Sequence, residues 1–276
     1  MLAASGLLAA PDQVSPMSPS TLPEYNEELL DYLELFRGRG FLSPGGADET
    51  RRVLDRINLE NRDVLEIGSG LGGCCLIIAG ERGARHVHGL DVEPLVIERA
   101  VKTVLQAGLE QQISFELVEP GPLPVASGSF DVIFSKDALC HIENKQALYG
   151  ELFRALKPGG QIAIGDWLVQ RHGEHSKAMQ TFISTTGLSL FMDSLDGVKT
   201  TLTSVGFLDV EVVNRNTWFR KEARHEARLL EGPLADQVAR LRGQATAESS
   251  NECQQQMIAV LDSGEFCPAH FFARKP

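Results

Sequence analysis

The sequence has no run of apolar residues approaching the ~20 that a bilayer-spanning helix needs, which excludes an integral membrane protein of that kind. It also has no basic surplus. Its 26 Lys and Arg against 37 Asp and Glu give a formal net charge of -11, whereas an electrostatic grip on nucleic acid requires clustered cations. Neither nucleic acid nor a membrane is therefore an expected partner. The cysteines lack pairing: Cys74, Cys75, Cys140, Cys253 and Cys267 are odd in number and show no CxxC spacing. That pattern suits reduced thiols in the cytoplasm better than a disulfide framework or a zinc site, and no metal is expected. The first twenty residues contain no Lys or Arg, so they lack the basic n-region of a signal peptide. Their Pro/Ser-rich composition reads as a disordered leader over 1–20.

What remains is long enough for one elaborated α/β domain, with no internal repeat and no linker. Residues Tyr25 to Phe36 place apolar side chains at helical spacing and predict an amphipathic helix. It breaks at Arg37-Gly-Arg-Gly40, and the loop Phe41 to Gly46 leads to a second helix over Ala47–Ile57 with acids in its first turn. The rhythm then changes. Strands are expected at Asp63–Ile67, His86–Asp91, Ile113–Val118, Phe130–Phe134 and Gln161–Asp166. Helices are expected between them at Leu71–Glu81, Glu93–Gln106 and Glu143–Leu156. Such alternation implies a mostly parallel sheet covered on both faces. The last hundred residues predict helices at Ser176–Leu190 and Gly197–Val205 and a strand at Leu208–Asn214. A charged helix over Trp218–Leu241 reads as a solvated outer face, and a final strand runs from Cys267 to Ala273.

The sharpest motif is Val64-Leu-Glu-Ile-Gly-Ser-Gly-Leu-Gly-Gly73. Gly68, Gly70 and Gly72 follow a strand and open a helix, where a chain without β-carbons can turn tightly and let a ligand approach backbone amides. A glycine triplet alone would equally suit a dinucleotide. Two acids favour a different ligand. Glu66, two residues before the first glycine, can hold the ammonium of a methionine moiety, and Asp91 at the end of the second strand can accept both ribose hydroxyls of an adenosine. The third strand end is expected to bring Val118 and Glu119 to the adenine edge, with Pro120 also in the cofactor site. These positions predict a site for S-adenosyl-L-methionine, with Ser69 and Val92 beside its two anchoring acids. Cys74 and Cys75, at the helix start, could be acidified thiols or small residues required by helix packing; the second reading is preferred.

Chemistry should sit at the carboxyl ends of the strands. There, Ser135-Lys-Asp-Ala-Leu-Cys-His141 follows the fourth strand, and a helical turn would put Asp137 and His141 on one face. A protonated amine must lose its proton before its lone pair can attack a methyl carbon. An imidazole can take that proton and a carboxylate can anchor the ammonium. In isolation His141 also reads as a structural hydrogen-bonder.

The order VLEIGSG, GLD, FDVI and LKPGG resembles that of class I methyltransferases. This implies a Rossmann-like α/β sheet, mostly parallel with the last strand antiparallel, under a helical N-terminal lid. The expected division is a lid over 21–58, a cofactor-binding core over 59–170, and a substrate cap with C-terminal strands over 171–276, all in one domain. Tyr25, Tyr32, Phe36, FLSPGG and SKDALCHI further resemble the phosphoethanolamine N-methyltransferases. That resemblance implies a catalytic pair at Tyr25 and His141. It also implies substrate contacts at Tyr32, Asp137 and Trp167, and a cofactor contact at Ser43. Lys136 stands where an arginine is expected and remains a cation near the cleft.

The chain departs from that family where phosphate is held. Phe182-Ile-Ser-Thr-Thr-Gly-Leu188 lacks the expected arginine and tyrosines, and an expected late lysine is replaced within Glu252-Cys-Gln-Gln-Gln256. A phosphomonoester would then be poorly compensated in a partly buried site. A small-molecule acceptor bearing a carboxylate, such as glycine, sarcosine or dimethylglycine, becomes an alternative to phosphoethanolamine. Two further readings remain open: S-methylation of a thioether acid, and a cofactor-binding subunit without activity.

Overall fold

The computed structural model describes residues 25–276. The predicted leader, and the first four residues of the predicted lid, lie outside the described residues. Two helices open the described chain, α1 (Glu27–Arg37) and α2 (Gly46–Leu54). The Asn26 side chain caps α1 by accepting from the Leu29 amide at 2.9 Å, and Gly38, at φ +92°, ends it.

Strand β1 (Asp63–Ile67) leads to α3 (Gly73–Leu76), which widens into a π-turn over Ile77–Glu81 rather than continuing as the single α-helix expected from Leu71 to Glu81. There follow β2 (His86–Asp91), α4 (Pro94–Ala107), β3 (Ile113–Leu117), β4 (Phe130–Lys136), α5 (Lys145–Ala155) and β5 (Leu156–Asp166). The chain continues through α6 (Lys177–Thr186), α7 (Leu195–Val205), β6 (Leu208–Asn214), α8 (Asn216–Glu231), α9 (Ala235–Arg242), α10 (Gln244–Asp262) and β7 (Ala269–Arg274). Among the described residues no helix is long and apolar enough to cross a membrane.

The seven strands form one sheet in the order β3-β2-β1-β4-β5-β7-β6. Strands β1 to β5 pair in parallel, and β7 runs antiparallel to both β5 and β6. The order reverses between β1 and β4, and in an open α/β sheet ligands bind outside the strand ends at that switch. The alternation along β4 shows how the sequence builds two cores from one strand. Ile133 joins a cluster with Leu65, Leu152, Ile162 and Phe271 on one face. Val132 and Phe134 join Val53, Leu54, Val64, Ile78 and Phe272 on the other. All three β4 side chains are buried.

The C-terminal third differs from expectation. The charged stretch is not one solvated helix. Gly232-Pro233 separates α8 from α9, since proline cannot continue the hydrogen-bond ladder, and α8 buries Phe219, Ala223, Glu226, Ala227 and Leu230. The nineteen-residue α10 was not anticipated. It packs Met257, Val260 and Leu261 against Met179 and Phe182 of α6 and Phe219 of α8. Of this layer, α6 and α10 line the cavity at the carboxyl ends of the strands, together with α1.

Candidate active site

The glycine loop is pinned before any ligand arrives. Gly68 and Ser69 donate their amides to the Leu90 carbonyl at 2.9 and 3.0 Å. Gly68 has φ +71°, and a β-carbon there would fall 2.2 Å from that of Ala138. A side chain at this position would thus collide with the turn that follows β4. The break predicted at Arg37–Gly40 also reaches the site, because the Gly73 amide donates to the Gly40 carbonyl at 3.1 Å. The segment between α1 and α2 and the glycine loop therefore touch backbone to backbone.

Glu66 and Asp91 occupy the strand ends as expected. Glu66 is 1 % exposed and accepts from the Cys75 thiol at 2.8 Å. Burial without a cation pushes its carboxyl up to about 8. Asp91 is held by backbone donors, with Gly70 N 2.9 Å from Oδ2 and Glu93 N 3.1 Å from Oδ1. Burial raises its pKa, and these amides oppose the shift. Burial likewise pushes Cys74 and Cys75 up from the ordinary thiol range. That shift disfavours the thiolate, the form that attacks, and both pack beside Val64 and Phe134.

The turn after β4 departs from the sequence reading. Asp137 sits at φ +54°, and His141 ends a 3-10 turn over Leu139–His141, so no α-helical turn aligns them. Asp137 instead folds back onto Lys136. The Lys136 ammonium donates to Asp137 Oδ2 at 2.9 Å, to Ser43 Oγ at 2.6 Å and to the Pro44 carbonyl at 3.0 Å. Three acceptors match the three protons of an ammonium. Lys136, expected as a cation facing substrate, thus fastens the Ser43-Pro44 loop to the end of β4.

His141 lies in the cavity wall with Nδ1 3.0 Å from the Ser189 carbonyl. A carbonyl can only accept, so Nδ1 carries the proton and Nε2 carries the lone pair in the neutral ring. The turn itself is clamped by Lys145, whose ammonium donates to the carbonyls of Leu139 at 2.6 Å and Ile142 at 2.7 Å. Beneath it lies Asp166, pushed up to about 7 by burial and then by the neighbouring Asp137. Neither Lys145 nor Asp166 was singled out from the sequence, where both read as ordinary element ends.

One cavity of about 1200 Å³ joins these groups. Its lining contains every predicted site residue: Ser43, Glu66, Gly68, Ser69, Gly70, Asp91, Val92, Glu119 and Pro120 from the cofactor set, and Tyr25, Tyr32, Lys136, Asp137, His141 and Trp167 from the acceptor set. Within it, Tyr25 packs with Leu30, Leu71 and Val96. Tyr32 lies against Phe36, with ring centroids 5.1 Å apart. The buried donor groups with no hydrogen-bond partner among the described residues include the Ser69 hydroxyl and the Trp167 indole nitrogen. Both line the cavity, so a polar ligand can satisfy them. Sequence reasoning missed the far wall, formed by Arg37 of α1 and by Arg242, Ser250 and Gln254 of α9 and α10.

The family model described as Methyltransferase domain matches residues 58–215. Phosphoethanolamine N-methyltransferase 1 of Arabidopsis thaliana is 31% identical over 199 residues, which cover 72% of this chain and 39% of that protein. The chain spans about two fifths of the length of the first curated relatives it matches. Among solved structures, phosphoethanolamine N-methyltransferase 2 of Haemonchus contortus, in complex with phosphomonomethylethanolamine and S-adenosylhomocysteine, aligns with TM-score 0.81 and 25% identity. That alignment covers 90% of this chain and 57% of the other. A putative sarcosine dimethylglycine methyltransferase of Galdieria sulphuraria aligns with TM-score 0.74 at 20% identity over 83% and 84% of the two chains, a likeness of fold.

Proposed function

We propose that this chain, which belongs to the methyltransferase-domain family of class I S-adenosylmethionine-dependent enzymes, methylates the nitrogen of a small amine carrying a phosphate or a carboxylate. The observation that carries this reading is the single cavity running from Glu66 and Asp91 to a histidine whose tautomer is fixed by a backbone carbonyl. Its volume exceeds the ~300–1,000 Å³ of an ordinary small-ligand pocket, as a site for two ligands at once should.

S-adenosylmethionine, when bound, supplies a methyl group activated by a sulfonium. The residues present suit it. Glu66 receives the ammonium, Asp91 the ribose, and the orphaned Ser69 hydroxyl a further polar atom. Glu119, Pro120 and Val92 border the base, and Ser43 closes the loop. On the acceptor side Asp137, oriented by Lys136, holds the substrate ammonium. His141 Nε2 then removes its proton and exposes the lone pair. Tyr25 and Tyr32 cover the site from α1, and the Trp167 indole donates to an acceptor oxygen. Most of the acceleration comes from alignment and exclusion of water.

Replacing His141 by Ala tests this assignment. Loss of a general base typically lowers rate ~10²–10⁴-fold, so turnover should fall about 100-fold or more while S-adenosylhomocysteine affinity stays unchanged. Unchanged turnover, or a rate that is flat with pH, would point instead to a thioether, which has no proton to lose.

A further inference from the structure

The lid-and-α10 side of the cavity carries charged groups that none of these roles uses. Arg242, the last residue of α9, places its guanidinium 4.7 Å from the Tyr32 ring centroid. It also reaches Ser250 Oγ and Glu28 Oε1, each at 3.4 Å. Ser250 donates its own proton to the Thr246 carbonyl at 2.9 Å, so it accepts from Arg242. Arg37, the last residue of α1, gives one Nη to the Leu42 carbonyl. Its Nε is buried with no hydrogen-bond partner and stands 3.7 Å from Glu226 Oε1, which also has none. Glu226 is 1 % exposed, accepts weakly from Gln254 Nε2 at 3.3 Å, and does not line the cavity, whereas Arg37 does.

Two guanidinium groups therefore belong to the wall of the one cavity, Arg242 over the Tyr32 ring and Arg37 over that of Phe36. The buried Glu226 carboxyl lies 3.7 Å from the Nε of Arg37. A guanidinium fork matches the oxygens of a phosphate or carboxylate and can bind them bidentately. Neither residue lies in Phe182–Leu188 or Glu252–Gln256, the stretches from which phosphate donors are missing. We propose that Arg37 and Arg242 form the subsite for the anionic group of the acceptor. That group is drawn to the lid side of the cavity while the nitrogen faces His141. The inference rests on the amine reading for the nitrogen only; the anion subsite would serve any anionic acceptor.

The test is binding to the full chain saturated with S-adenosylhomocysteine, which permits no turnover. The titrants are phosphoethanolamine, glycine, uncharged-tail ethanolamine and a thioether acid, methylthioacetate. The wild type should bind at least one of the anionic compounds ten or more times more tightly than ethanolamine. Whether phosphoethanolamine or glycine leads identifies the anion. Arg242→Gln and Arg37→Gln should each weaken that compound about tenfold or more and leave ethanolamine and S-adenosylhomocysteine unchanged. Arg242→Lys, which keeps the charge without the fork, should fall between. Should either Gln variant fail to hold S-adenosylhomocysteine, the Lys variant carries the test. Arginine-dependent binding of methylthioacetate alone would keep the subsite and sink the amine reading. Equal weakening of ethanolamine, no effect of the substitutions, or no anionic preference in the wild type would overturn the subsite.

Discussion

At Glu66 burial favours the neutral carboxyl. Its pKa near 8 lies well above its ordinary 4.5, so the ligand-free chain binds a proton there that the unfolded chain releases above about 4.5. Its stabilising contribution is complete below pH 4.5 and is lost as pH rises through 8. Glu66→Gln should therefore remove part of the decline in ligand-free stability across that window, measured by urea unfolding at several pH values. Binding an ammonium reverses the preference and expels the proton. Calorimetric titration with S-adenosylhomocysteine at pH 7, in two buffers of different ionisation enthalpy, should register proton release in the wild type and none in Glu66→Gln. Equal release by both proteins would remove Glu66 from the ammonium site. Glu66, Asp91 and the glycines were legible because strand-end placement and chain reversal are local properties. Arg37 was not: in sequence it only ends a helix, and its place on the cavity wall arises from packing of α1 against α8 and α9.

At the scale of elements, one buried carboxylate ties three of them. Glu49 of α2 accepts both Nε and Nη2 of Arg215, at 2.9 and 2.8 Å, just before α8, and lies 2.7 Å from His270 Nε2 on β7. Burial alone would raise its pKa; His270 and Arg215 outweigh that and hold it at about 2, against an ordinary 4.5. The shift corresponds to about 3 kcal/mol. Because the folded value is the lower one, this stability is present above pH 4.5 and is lost as pH falls towards 2. Glu49→Gln leaves Arg215 without its partner and should cost about 3 kcal/mol in urea unfolding; a loss below about 0.5 kcal/mol would mean that solvent replaces the carboxylate. The elements differ in how far their residues disclose them. β4 announced itself by a dense apolar run, and β6 matched its expected bounds. α10 stayed hidden because its buried stripe includes Gln254, whose amide donates to the Ala223 carbonyl at 2.9 Å. A satisfied buried glutamine looks like surface in a one-dimensional pattern.

Across the whole molecule, the sheet supplies the floor and the helices above it the walls. The two were unequally visible. Strand alternation and the glycine motif revealed the floor, whereas the cap depends on contacts between residues far apart in sequence. α1 is fastened to α4 by one arginine. Arg99 lies 3.3 Å from Glu27, 2.6 Å from Asp31 and 3.4 Å from Glu34, three acids on one helical face. Arg99→Gln should speed amide exchange over 27–37 severalfold, measured by hydrogen–deuterium exchange, with β1 and β4 unchanged. Wild-type protection in the variant would place the anchoring of α1 in its apolar face instead.

The central claim, methyl transfer to an amine in this cavity, is tested most directly by incubating the chain with labelled S-adenosylmethionine. Phosphoethanolamine, glycine, sarcosine, dimethylglycine and a thioether acid would be supplied separately across a range of pH. The account predicts label on the nitrogen of at least one of the amines, at a rate that rises with pH and depends on His141. Label on the thioether alone, or on none of them, would contradict it.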